Sequence, residues 1–102
     1  SLKKIPPHAA DEYVGKYGIV RGPIVDVHVA PRMIFLNFGR DRHKDLTAVI
    51  YASNILLFER KKINPAVYYR GKDVEIVGKV KYKNGPRMII DNPSQIKVIG
   101  TL

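Results

Sequence analysis

The pair Asn84-Gly85, set between two alternating apolar runs, constrains this chain more than any other feature. An Asn-Gly step in that setting is the strongest short-range hairpin signal, because both central positions of the tight turn require positive φ. Around it, the stretch from Gly71 to Ile99 reads GKDVEIVGKVKYKNGPRMIIDNPSQIKVI. After a Gly-Lys turn, Val74, Ile76, Gly78, Val80 and Tyr82 share one parity, and Asp73, Glu75, Val77, Lys79 and Lys81 the other. The returning strand sets Met88 and Ile90 on one face and Arg87, Ile89 and Asp91 on the other. Asn92-Pro93-Ser94 ends it, and Gln95 to Ile99 reads as a last short strand, with Asn92 and Gln95 expected to tie down the tail. A lone hairpin cannot bury its apolar face. The rest of the chain must cover it.

What precedes the hairpin is mostly strand. Ser1 to Pro7 is polar and then proline-rich, and Pro6-Pro7 argues against regular helix there. In HAADEYVGK, Ala9, Ala10, Tyr13 and Val14 form one apolar side of a brief helix that Gly15 stops. Tyr17 to Val29 reads as one long bent strand. Val20 and Ile24 have one parity and Val25, Val27 and Val29 the other, so a bulge or coil near Gly22-Pro23 is expected. Met33 to Phe38 is the second strand, with Ile34, Leu36 and Phe38 inward and Phe35 and Asn37 outward. Leu46, Ala48 and Ile50 alternate with Thr47, Val49 and Tyr51 in a third. Ser53 is placed to cap a helix over Asn54 to Lys61, with Ile55 and Phe58 on its buried side and Arg60, Lys61 and Lys62 at its cation-favouring end. Asn64-Pro65 breaks it, and at least one of Tyr68 and Tyr69 is expected in the core.

The order predicts an all-β fold: a small five-stranded OB-fold barrel, with a helix between strands three and four and a short N-terminal helix. An SH3-like barrel is the alternative, but it offers no place for the helix around Phe58. The absence of a βαβ rhythm argues against a doubly wound sheet. At 102 residues the chain suits one domain. Residues 1–12 form an N-terminal extension containing the start of the short helix, and residues 13–102 the domain.

The pieces GKYGIVRGPIVDV, MIFLNFGRDRHKDLTAVI, RGKDVEIVGKV and NGPRMIIDNPSQIKVI resemble bacterial OB-fold domains found in or beside staphylococcal-nuclease-like and other nucleic-acid-related proteins. The resemblance runs from about Tyr13 onward. It implies an accessory or binding module, with a fused or adjacent nuclease-like domain among its partners, and it does not identify the ligand.

Composition narrows the function further. Eighteen basic against nine acidic side chains give a net charge of +9, which favours polyanions or anionic surfaces. There is no cysteine, hence no disulfide framework and no thiolate chemistry. No run approaches the ~20 apolar residues that cross a bilayer, so no membrane insertion is expected. Ser1 in place of a starting Met points to a trimmed chain, which leaves a cytoplasmic protein and an exported one both open.

Outward parity places Phe35 and Tyr51 on neighbouring strands, with Lys79, Lys81 and Arg87 on the hairpin and Arg21 on the first strand. Aromatic faces beside a basic track are what single-stranded nucleic-acid binders combine, and Asn37 with Thr47 would add hydrogen bonds. In the loop GRDRHKD, Arg40, Arg42 and Lys44 face water or a phosphate, while Asp41 or Asp45 fixes the turn. A divalent metal on Asp41, His43 and Asp45 is the weaker reading, so neither metal nor cofactor is expected. Nuclease chemistry needs several convergent carboxylates. The spacing of Asp26, Asp73, Glu75 and Asp91 does not gather them, and His8 and His28 read as incidental. The expected function is therefore non-catalytic binding of single-stranded nucleic acid. A structural or protein-interaction domain facing an acidic partner is the alternative, with nuclease activity a distant third.

Overall fold

A computed structural model describes residues 2–101, so Ser1 and Leu102, the outermost residues of the expected extension and domain, lie outside it. The strands are β1 (Lys3–Lys4), β2 (Tyr17–Pro23), β3 (Asp26–Val29), β4 (Met33–Asn37), β5 (Thr47–Tyr51), β6 (Lys72–Tyr82), β7 (Pro86–Ile89) and β8 (Ile96–Thr101). One helix, α1 (Ile55–Glu59), separates β5 from β6. Short 3-10 segments cover Pro7–Tyr13, where a kink at Ala9 divides two of them, Ala52–Asn54 and Pro93–Gln95.

The eight strands make one mixed sheet in the order β1-β2-β6-β7-β5-β4-β3, with β8 added to β6. β1 is parallel to β2 and β5 to β7, and the other pairs are antiparallel. This corrects the expected five-stranded barrel: among the described residues the sheet does not close on itself. The long first strand is in fact two. The Ile24 N–H donates to the Lys72 carbonyl of β6, the Val25 N–H to that of Asn37 in β4, so consecutive residues bond to different strands. β2 and β3 are joined by backbone alone, with no ladder between them. The phase change expected near Gly22-Pro23 thus falls one step later, as a change of partner. β1 adds a strand from the expected N-terminal extension, and the expected last short strand is β8, which runs on to Thr101.

The hairpin behaves as its turn residues dictate. Asn84 has φ 57° and Gly85 φ 125°, and Tyr82 pairs with Pro86 beyond them. Gly85 also has no room for a side chain, since a Cβ there would strike the Arg42 carbonyl oxygen. After β7, Asn92 Oδ1 accepts the Ser94 N–H at 2.9 Å and Gln95 Oε1 that of Asp91 at 2.8 Å. The Gln95 amide donates to the carbonyls of Val77 and Ile89 at 2.9 and 3.2 Å. The tail is held as expected.

The core takes Val20, Leu36, Phe38, Leu46, Ile50, Val74, Ile76, Val80, Met88 and Ile90, the inward residues of the alternating strands. Val49 departs from its strand's pattern. It stands on the outward parity yet is fully buried, flanked in register by Phe35 and Ile89.

The helix is shorter than the expected Asn54 to Lys61, and neither Ser53 nor any other side chain caps it. Its end curls where Lys62 takes φ 60°, with the Ile63 N–H returning to the Phe58 carbonyl. Phe58 itself is fully buried, its ring edge-on to Tyr69 at 6.4 Å. Burial, and then Tyr68 beside it, pushes the Tyr69 phenol up to about 12. The N-terminal helix is a pair of 3-10 pieces from Pro7, broken at Ala9; Ala10 is buried, Tyr13 packs on the core and Val14 is exposed.

Candidate nucleic-acid interface

Register brings the polar residues of five strands into one row. Asp26 stands opposite Asn37, Asn37 opposite Thr47, Thr47 opposite Arg87, and Arg87 opposite Lys81. The next row on the same parity holds His28, Phe35, Val49 and Ile89. Polar side chains therefore lie beside an aromatic strip, on the face turned away from the core.

A cleft of about 490 Å³ opens over these rows. It is lined by Asp26, His28, Phe35, Asn37 and Thr47 of the sheet, by Arg42, and by the hairpin from Lys83 to Arg87. Phe35 is the centre. The His28 ring stacks on it at 5.8 Å and 21°, and the Arg87 guanidinium carbon lies 5.7 Å from its centroid. Arg87 Nε is buried without a hydrogen-bond partner, so a donor is left over in a cation-rich cleft.

Two contacts fix the floor. Thr47 Oγ1 donates to Asn37 Oδ1 at 2.8 Å, which turns the Asn37 amide nitrogen toward other acceptors. Arg70 reaches Asp26 at 3.3 Å and the Val27 carbonyl at 3.0 Å, so the one carboxylate of the cleft already has a cation.

The expected site residues divide. Phe35, Asn37, Arg42 and Arg87 line the cleft, and Lys81 is next to Arg87 in the row. Arg40 and Lys44 are exposed on the same loop as Arg42 without lining it. Tyr51 is exposed opposite Met33, one step along the sheet from the Phe35–Val49 pair and outside the cleft. Lys79 is exposed opposite Tyr17 at the β2–β6 ladder. Arg21 lies elsewhere. Its Nε donates to Glu75 at 2.7 Å, with Lys97 at 3.8 Å from the same carboxylate, and it borders a smaller groove with Ile5, Pro6, Pro7 and Ile19. The Arg21 hydrogen bond holds the Glu75 carboxyl below its usual range; desolvation opposes this, and the charges of Arg21 and Lys97 add to it.

Sequence reasoning missed His28, Asp26 and the hairpin-tip residues. The signal for His28 was its shared parity with Asp26, which only the pairing of β3 with Phe35's strand could turn into a contact. The GRDRHKD loop takes the structural role expected of its carboxylates: Asp41 Oδ1 accepts the His43 N–H and Asp45 Oδ2 that of Asp41. Among the described residues, no three His, Cys, Asp or Glu side chains come together as metal ligands would. Nor is any helix there long and apolar enough to cross a membrane.

Sheet order and cleft define an OB-fold-like domain. Among solved structures, the chain is similar to asparaginyl-tRNA synthetase from Pyrococcus horikoshii, at 22% identity and TM-score 0.63 over 100% of this chain and 24% of that one. It is similar to aspartyl-tRNA synthetase from Entamoeba histolytica, at 17% identity and TM-score 0.65 over 99% of this chain and 22% of that one. It is also similar to an OBody bound to hen egg-white lysozyme, at 14% identity and TM-score 0.61 over 99% of this chain and 100% of that one. The chain spans about a quarter of the length of these synthetases. No protein-family model matches it, and no curated protein matches it. At these identities the likeness is one of fold. It narrows the expected resemblance to an OB-fold-like domain and lends no support to a bacterial or staphylococcal-nuclease-like setting.

Proposed function

We propose that this domain is a non-catalytic module that binds single-stranded nucleic acid in the cleft over Phe35. The observation that carries the reading is the Phe35 ring, stacked on His28, approached by Arg87 and flanked by the cations of two loops. A base stacks on such a face whatever its identity, while Arg42, Lys83 and Arg87 meet the phosphates on either side. Lys81, Arg40 and Lys44 extend the positive field at longer range. The synthetase likeness favours RNA, and within a tRNA a single-stranded loop, because a duplex leaves no base free to enter the cleft.

The test is fluorescence anisotropy with a short labelled oligouridylate and its oligothymidylate counterpart across a salt series. Binding that weakens with salt and is lost in Phe35→Ala supports the reading. No binding at low salt overturns it, and the protein-interaction reading then takes precedence. The similarity to an OBody bound to lysozyme favours that alternative, since a domain of this fold there holds a protein.

A further inference from the structure

The loop from Gly39 to Asp45 mixes Arg40, Arg42 and Lys44 with Asp41 and Asp45. Carboxylates beside a polyanion site oppose binding by simple Coulomb repulsion. Their geometry gives them another task. The Asp45 side chain is 13% exposed and fits against Gly39, where any Cβ would strike it. Asp45 Oδ2 accepts the Asp41 N–H at 2.8 Å, and Oδ1 lies 3.0 Å from His8 Nδ1. Asp41 Oδ1 accepts the His43 N–H at 3.0 Å, and the Asp41 carbonyl accepts that of Asp45 at 2.7 Å.

Arg42 is therefore bracketed by two amides, each bound to a carboxylate. Its own carbonyl lies against Gly85, which sets the loop directly beside the hairpin tip. The N-terminal segment braces the loop from outside. The Ala10 N–H donates to the Lys44 carbonyl at 3.2 Å, and the Leu46 N–H to that of Pro7 at 2.8 Å.

We infer that Asp45 is a positioning residue of the cleft. It does not touch the nucleic acid; it holds the loop so that Arg42 stands beside the hairpin tip as a phosphate contact. The inference rests on the nucleic-acid reading above, and it makes an uncommon demand. Removing the Asp45 charge raises the net positive charge of the chain and yet weakens binding.

Anisotropy titrations of the whole chain with the short oligouridylate test this. Asp45→Ala is expected to lose on the order of tenfold in affinity, the worth of a charged hydrogen-bonded contact. Its logarithmic salt slope should fall by about 0.7, as for one lost phosphate contact. Asp45→Asn keeps an acceptor for the Asp41 N–H and should lose less. In an Arg42→Ala background, Asp45→Ala should cost nothing more and leave the slope where it is. A general structural defect would instead weaken binding in both backgrounds alike.

Should Asp45→Ala fail to fold, Asp45→Asn carries the comparison against the parent. Affinity equal to or tighter than the parent's, in whichever variant folds, overturns the inference while Phe35→Ala still weakens binding. A parent chain that binds neither oligonucleotide removes the functional reading and this inference with it.

Discussion

The two outer faces of the sheet use their cations differently. On the face formed by β2, β6 and β8, Arg21 and Lys97 both converge on Glu75. Across the cleft, Arg42, Lys83 and Arg87 take part in no ion pair among the described residues, nor does Lys81 beside them. A net charge of +9 is the same number on either face. What separates them is whether a carboxylate stands in register: Glu75 faces Arg21 directly, whereas Arg87 faces Thr47 and Lys81. The lesson is that charge count alone does not distinguish the two faces; whether a carboxylate stands in register does, and the unmatched cations gather beside the half-buried Phe35 ring.

The comparison can be broken at several points. The largest effect belongs to the core beneath both faces. Phe58→Ala should cost roughly 3–5 kcal/mol by chemical denaturation, in one transition shared by all probes. A loss below about 1 kcal/mol would mean that α1 is not needed to close the core. Next comes the cleft. Phe35→Ala is expected to weaken oligonucleotide binding by roughly 1–3 kcal/mol with little change in salt slope, whereas Tyr51→Ala, outside the cleft, should bind like the parent. Equal losses in the two would extend the platform along β5.

The third effect is smaller and separates the faces directly. Arg87→Ala should lower the logarithmic salt slope by about 0.7, while Arg21→Ala, whose guanidinium already serves Glu75, should leave it nearly unchanged. A fall of the same size in both would show that the field of the whole molecule matters more than the cleft. The smallest effect is on stability. Glu75 has its pKa lowered in the folded chain, so its contribution is present above the ordinary carboxylate range and is lost as pH falls through the folded value. Glu75→Gln should flatten that acid-side decline in a thermal-melt series, with no effect on binding.

Much of the fold was legible because alternation is local information. The parities of β4, β5, β6 and β7 followed from adjacent residues, and Asn84-Gly85 specified its own turn through backbone sterics. Where those rules met a longer-range demand they failed. Val49 looked outward by parity, but Phe35 and Ile89 on the adjoining strands enclose it. Tyr17 to Val29 looked like a single strand because period-two patterning does not say which neighbour a backbone N–H bonds to. The change of partner between Ile24 and Val25 left a sheet that does not close into the five-stranded barrel.

For the site, the sequence by itself determined which residue types face outward: Phe35, Asn37, Thr47 and Arg87 were all legible from alternation. It also determined that Asp41 and Asp45 sit where a turn needs acceptors. Only the tertiary structure decided that Arg87 comes to lie over Phe35, through the parallel pairing of β7 with β5. It likewise decided that His28 completes the stack and that His8 meets Asp45, 37 positions away in the chain. The physical reason is that a strand's pattern encodes which face it buries, whereas its partners follow from how the strands together cover one core.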